Sequence, residues 1–410
     1  MTEAEQPRAP HPAVWMILYI PFGALGGFIT VALTFLATTK GLSISEGALL
    51  NGAQMLISWM KWLWAPIVDV TLNPRKWYVI STAASAVGIF TMAAIPLGPN
   101  TLPLLLAVIA AASLVNSVVG MSVEAIMSRV VTPDQAGRVG AWFQAGNLGG
   151  AGLGGALGLF LIQKLPAPWM SGAIMGALFV ACTAALNLTP VLPGHKSELG
   201  FVKSVKSVVG DLRTMLKTKG GLLSAILCVL PVGTGAAQTT LTQAEVAAYW
   251  GAGPTEVEWL QGVLAGLLTA AGCFVGGYVC QRFQPRTAYA GIGIGLALIA
   301  TGMAVTPATV ITYIIWSLLY SFAVGLAYAA FTAVVLHAMG HGSGATKYNV
   351  FASASNFPIW WLGLTLGYAA QRFGARAMLL TEAGFGVLGV LVFAGAVSRV
   401  RRSLLPERAE

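Results

Sequence analysis

The chain has 410 residues, of which 56% are hydrophobic and only 9% charged, with a formal net charge of +9. A soluble domain carries about 25% charged residues, so this composition excludes a soluble protein and points to a chain that crosses a bilayer many times. A helix needs about 20 apolar residues to span the hydrocarbon core, and the length accommodates twelve spans with short connections and little else.

Residues 1–13 form a polar N-terminal tail. The first apolar stretch, 14–38, is longer than the apolar region of a secretory signal, so it is expected to remain as the first span. Further apolar segments run about 46–68, 78–97, 102–127, 139–162, 169–192, 221–243, 258–280, 288–306, 309–336, 348–370 and 377–398. The longest connection, 193–220, lies between the sixth and seventh segments. It divides the chain into an N-terminal bundle over 14–192 and a C-terminal bundle over 221–398, with a basic tail at 399–410. Within it, Phe201, Val205, Val208, Leu212 and Met215 recur at helical spacing with Lys203, Lys206, Arg213 and Lys217 between them. That pattern predicts an amphipathic helix on the membrane surface.

With the N-terminus on the cytoplasmic side, 18 of the 23 basic residues fall on that side, four on the other and Lys61 inside the membrane. Basic residues concentrate in cytoplasmic loops, so both termini are expected in the cytoplasm and the chain in the inner membrane. The positive charge then records topology and attraction to anionic lipid and calls for no nucleic acid. Cys182, Cys228, Cys273 and Cys280 fall within predicted helices without metal or redox spacing, and read as small packing residues.

The two halves echo each other. Arg138, Trp142 and Asn147 in the fifth segment correspond to Lys347, Phe351 and Asn356 in the eleventh, and Asp69 corresponds to Gln281 at nearly the same offset. Inside the C-terminal half, Gly277-Tyr278-x-x-Gln281-Arg282-Phe283 returns as Gly367-Tyr368-x-x-Gln371-Arg372-Phe373 on the opposite face, as inverted repeats require. Two similar bundles around a midplane site can rock and expose it to each side in turn. The fold class is therefore an all-α membrane protein of twelve helices in two pseudo-symmetric six-helix bundles, and transport by alternating access is the natural expectation.

The second segment ends Lys61-Trp62-Leu63-Trp64-Ala65-Pro66-Ile67-Val68-Asp69. This resembles the Lys-x-x-Trp-x-Pro-x-x-Asp signature of one branch of the major facilitator superfamily, the branch of AmpG-like muropeptide permeases and acetyl-CoA transporters. Ala345-Thr346-Lys347-Tyr348 resembles the matching segment that opens the eleventh helix. The resemblance implies a proton-coupled symporter working as a monomer on a small anionic or zwitterionic substrate, without cofactor. Departures exist: Gly120-Met121-Ser122 stands where muropeptide permeases carry acidic residues, and the Gly-rich run 149–155 lacks the proline of drug antiporters. Efflux of amphipathic compounds is the rival within transport.

Lys61 is the most informative residue, because an ammonium deep in a span is kept only with a partner or a wet cavity. It is a counter-charge for an anionic substrate group, one half of a pair with Glu124, or a side chain that snorkels to the interface. Glu124 is the proton-coupling candidate, with a static ion pair to Arg129, Arg138 or Lys61 as the alternative. Asp69, Arg75, Lys76, Arg138, Arg282, Arg286 and Lys347 sit where the resembled fold has its inner gate. An acidic group there can bond facing N–H groups only when that side is shut, and so biases one state. Thr30, Thr34, Asn116, Gln238, Thr239, Tyr320 and Tyr328 lie on the segments that line the cavity of the resembled fold, and are expected to offer hydrogen bonds to substrate. Glu245 and Glu382 read as solvated carboxylates nearer the outer surface. His337 and His341, four apart, give the only hint of a metalloenzyme, and no third ligand stands near them. A Gly-x-x-x-x-Gly-Lys-Ser/Thr nucleotide loop is absent from the sequence, which leaves an ion gradient as the energy source.

Overall fold

The computed structural model describes residues 10–40, 42, 44–98, 100–191, 201–253, 256–257, 260, 264–340 and 343–402. The first span, α1, runs from Ala13–Gly27 through a π turn at Phe28–Leu33 to Thr34–Thr39. The second, α2, comprises Ile44–Met60, a 3-10 turn at Lys61–Leu63 and Ala65–Val70. Then follow α3 (Pro74–Ala94), α4 (Leu102–Val130), α5 (Ala136–Lys164) and α6 (Pro168–Leu188). The connecting helix α7 is Phe201–Lys217. The seventh span is broken into α8 (Lys219–Val229), α9 (Ala237–Leu241) and α10 (Ala244–Ala248). The rest are α11 (Ala265–Arg282), α12 (Pro285–Val305), α13 (Val310–Met339), α14 (Gly344–Phe373) and α15 (Ala375–Arg402). Successive spans run antiparallel; the end where α1 begins and α15 finishes is called the terminal end below, and the opposite end the distal end.

Local chemistry sets these boundaries. Proline occupies the first turn of α3, α4, α6 and α12, where its missing N–H costs nothing. Asn73 caps α3 by accepting from Arg75 N at 2.9 Å, and Thr309 with Thr312 forms a capping box at the start of α13. The amphipathic α7 buries Val208 and Met215 while Lys203, Lys206, Arg213 and Lys217 stay exposed. Its Asp211 accepts from the Ser343 hydroxyl at 2.8 Å, which ties α7 to the start of α14.

Among the described residues, eight helices are long and apolar enough to cross a membrane on their own. The spans that fall short of that count include α2 and α14, which meet each other across the two halves. Thr346, Lys347, Asn349 and Ser353 of α14 are all buried; the polar residues that lower its hydropathy face protein rather than lipid. The weaker hydropathy of α14 therefore reflects polar residues buried against protein rather than a missing span.

Within each bundle, small residues let backbones touch. Gly146, Gly150, Gly154 and Gly158 of α5 face Met16, Ile20, Ala24 and Phe28 of α1, one turn to one turn. A Cβ at Gly154 would collide with the Ala24 carbonyl group. The glycine row is thus a packing seam. Gly154→Val is expected to cost about 3 kcal/mol or more through overpacking, read as a lower thermal midpoint in detergent. Gly291→Val, where nothing lies within 4 Å of the added carbon, is expected to leave the midpoint unchanged.

The break in the seventh span follows from Pro231 and from Gly233 and Gly235, both at φ +63°. Unpaired backbone groups inside a membrane need internal partners, and side chains supply them. Tyr289 donates to Val232 O at 2.8 Å and Tyr313 donates to Leu241 O at 2.7 Å. Ala237 N donates to Glu382 Oε1 at 3.1 Å.

Candidate functional site at the interface of the two bundles

The two halves close on each other at the terminal end. Gly137 of α5 and Gly277 of α11 approach until a Cβ on Gly277 would lie 2.6 Å from the Gly137 oxygen, and one on Gly137 would lie 2.8 Å from the Gly277 oxygen. On the other flank Asp69, at the end of α2, receives two amides from the first turn of α14: Ala345 N at 3.2 Å and Thr346 N at 2.8 Å. A carboxylate at a helix N-terminus also meets the positive end of the helix dipole. Arg129 of α4 lies close enough to act on Asp69 electrostatically.

Deeper in, Glu124 of α4 is 1% exposed. Tyr19 of α1 donates to its Oε1 at 3.0 Å, and Asn349 of α14 donates to its Oε2, so one carboxyl group links α1 and α4 to the opposite bundle. A second cross-bundle cluster stands beside it. Gln144 of α5 donates to Thr332 Oγ1 at 2.7 Å and to Tyr348 Oη at 3.4 Å, and accepts from Asn147 at 2.9 Å. The Tyr19 ring stacks on Phe143 at 3.8 Å between centroids, and Phe143 meets Tyr348 edge-on at 5.7 Å.

Lys61 sits in the 3-10 turn of α2 and is 8% exposed. Its Nζ lies 5.7 Å above the Phe22 ring. Among the described residues no hydrogen bond or ion pair within 4 Å reaches the ammonium, and Glu124, already held by Tyr19 and Asn349, acts on it only through the longer-range field. The 3-10 turn explains the orientation: it rotates Lys61 inward while Trp62 and Leu63 stay exposed. Asn116 of α4 donates to Phe22 O at 3.0 Å, while its buried Oδ1 has no partner.

The remaining sequence-derived positions fall elsewhere. Thr34 turns its hydroxyl to Ile29 O at 3.0 Å and Thr239 to Ala236 O at 3.5 Å, so both bond their own backbone. Thr30 is exposed; Gln238 and Tyr328 are half-buried on α9 and α13. Tyr320 is engaged with Glu382 at 2.6 Å. Of the basic residues, Arg75 donates to Leu186 O at 2.7 Å within its own half, Lys76 and Arg138 are exposed, and Arg282 lies over Tyr278 at 5.2 Å. Arg286 reaches Gly220 O at 3.4 Å, and the buried Lys347 donates to Met339 O at 3.1 Å. Thus Asp69 is met by backbone amides rather than by a facing arginine. His337 is exposed, and His341 lies outside the described residues.

The model of the Major Facilitator Superfamily matches residues 15–359. The chain belongs to the major facilitator superfamily. Solved structures with the same fold include the Escherichia coli fucose:proton symporter FucP, with TM-score 0.71 and 14% identity, covering 94% of this chain and 98% of that one. A bacterial homologue of the iron transporter ferroportin in an outward-facing state matches with TM-score 0.66 and 12% identity, covering 94% and 98%. The human organic anion transporter MFSD10 matches with TM-score 0.66 and 15% identity, covering 93% and 98%. No curated protein sequence matches. The protein is a secondary transporter of this superfamily and not an enzyme.

Four side chains that hydrogen-bond in the transporter's interface were not singled out in the sequence: Tyr19, Gln144, Thr332 and Asn349. Gln144 and Asn349 carry a usable signal, since each is an amide inside a membrane segment and such groups need a partner. Tyr19 carries none, because a tyrosine near the start of a span equally fits an interfacial anchor.

Proposed function

We propose that the transporter moves a small anionic or zwitterionic metabolite, of muropeptide, CoA or siderophore type, by proton-coupled symport across the inner membrane, with both termini cytoplasmic. One observation supports this above all: Lys61 is a buried cation without a bonded acceptor among the described residues, facing Phe22, whose carbonyl oxygen accepts from Asn116. A buried charge calls for a partner, and a substrate carboxylate or phosphate is a suitable one. Glu124 serves as the proton site, since it accepts from both bundles and a proton there removes an acceptor from the bond to Asn349. Asp69 is the gate residue of the terminal end, with Arg129 in support.

Flux into proteoliposomes should depend on substrate and collapse with a proton ionophore. Lys61→Gln is expected to lower anion uptake by roughly one to two orders of magnitude, since a charge-assisted bond is worth about 1.5–3 kcal/mol. Lys61→Arg should retain measurable uptake. If Lys61→Gln carries every candidate anion as the parent does, the proposal fails.

A second reading is efflux of amphipathic compounds, favoured by a groove of about 420 Å³ lined by Trp59, Trp62, Val229, Val350, Ser353 and Phe357. A thermal-shift screen against muropeptides, CoA esters, ferric siderophores and hydrophobic drugs separates the two, because a ligand stabilises the state it binds.

A further inference from the structure

We infer that Glu382 is a second proton-binding group, in the C-terminal bundle, and that its proton sets the bend of the broken seventh span. This deepens the proton-coupled reading by adding a site at the distal side.

The sequence alone suggests a solvated carboxylate at Glu382, yet the side chain is 7% exposed. It stands seven residues into α15, roughly 10 Å from the distal end at 1.5 Å per residue. Its Oε1 accepts from the Tyr320 hydroxyl at 2.6 Å and from Ala237 N at 3.1 Å, and the same Ala237 N lies 3.2 Å from Tyr320 Oη. Ala237 is the residue at which helix resumes after the break. One carboxyl group therefore pins three spans together at the point where the seventh can hinge. Gly233 and Gly235, both in the left-handed region, form the flexible side of that joint.

The second oxygen, Oε2, is buried and makes no hydrogen bond within 3.5 Å; the Ala236 amide is the one further backbone donor acting on the carboxyl group. The described elements packed against Glu382 bring no compensating cation. Tyr320 of α13 is the ionisable neighbour, and Tyr289 of α12 is occupied with Val232. Lys219 opens α8 at the terminal end, α9 carries no charged side chain, and Arg372 lies exposed near the end of α14. On its own helix, Arg376 lies over the Tyr249 ring at 5.7 Å. A bare anionic oxygen in such a place is far costlier than a neutral hydroxyl. With a proton on Oε2, Oε1 still accepts both donors and the closed joint is retained. Without it, the charged oxygen gains by drawing in water, and the route to water is the joint, which opens toward the distal side. The N-terminal bundle holds a parallel pair in Tyr19 and Glu124, so each half would carry one tyrosine-bonded proton site.

Infrared difference spectroscopy on the full transporter in lipid, titrated by pH, reads the proton directly. The parent is expected to show a carbonyl band of a protonated carboxyl group that disappears as pH rises, is missing in Glu382→Gln, shifts in Tyr320→Phe and persists in Glu124→Gln. At matched pH above that titration, hydrogen exchange of amides 232–241 is expected to be at least tenfold faster in the parent than in Glu382→Gln, and equal below it. A spectrum from which Glu382→Gln removes no band, or a Glu382 band that does not titrate, overturns the proposal. So does exchange that is identical at every pH. Should Glu382→Gln fail to fold, the band shift in Tyr320→Phe decides. Because no substrate is used, a transporter whose flux proves independent of protons would refute the coupling reading while leaving this outcome readable.

Discussion

Replacing Asp69 by asparagine is expected to move the resting population of the transporter from terminal-closed toward terminal-open by roughly 30- to several-hundred-fold. In the closed arrangement Asp69 accepts Ala345 N and Thr346 N at the first turn of α14. Both bonds are charge-assisted, at about 1.5–3 kcal/mol each, and neither can exist once the bundles part. Asparagine keeps one acceptor oxygen, turns an NH2 toward an N–H donor and removes the charge at the helix N-terminus. The loss is about 2–4 kcal/mol, felt by the closed state alone, and a ligand or mutation shifts an equilibrium only by such a difference. Spin labels at Asp134→Cys and Thr287→Cys, both exposed near the terminal end, in a background without the four native cysteines, would report the distance distribution. Identical distributions in the parent and in Asp69→Asn would remove the gate role.

Gly277→Val is expected to abolish closure of the terminal end and to reduce transport by two orders of magnitude or more. Here the backbones of α5 and α11 touch, and a Cβ on Gly277 would stand 2.6 Å from the Gly137 oxygen and collide with Ala141. Backbone cannot yield as a flexible side chain can, so the clash costs about 3 kcal/mol or more, and it vanishes when the halves separate. The variant should therefore fold, keep its thermal midpoint and occupy the terminal-open state, where the same label pair reads a longer distance. A variant that closes and transports normally would show that these two glycines do not carry the closing contact.

The two predictions rest on different kinds of information. Asp69 was legible in the sequence, because a carboxylate eight residues after a membrane lysine, at the end of a span and before Arg75 and Lys76, stands out in a chain with so few charges. The Gly137–Gly277 contact was not, since the chain contains 49 glycines and nothing local distinguishes one that meets its own bundle from one that meets the other. The row at Gly146, Gly150, Gly154 and Gly158 was readable as a seam because helical spacing is a one-dimensional signal. Its partner, the Met16 to Phe28 face of α1, was not. Lys61 and Glu124 were both visible as intramembrane charges, but the sequence left their pairing open, and the structure gives Glu124 to Tyr19 and Asn349 instead. Glu382 shows the sharpest difference: its place along the helix is a matter of counting residues, whereas its burial depends on what packs around it.

Composition and hydropathy alone determined a many-span helical membrane protein, because the bilayer penalises every exposed backbone group and every unpaired charge, and that penalty is written residue by residue along the chain. Tertiary structure alone decided which polar groups face each other across the bundles, where the seventh span breaks, and that Lys61 is left without a bonded acceptor among the described residues. Those outcomes depend on distances between residues 57 to 277 positions apart, set by helix packing rather than by any local preference.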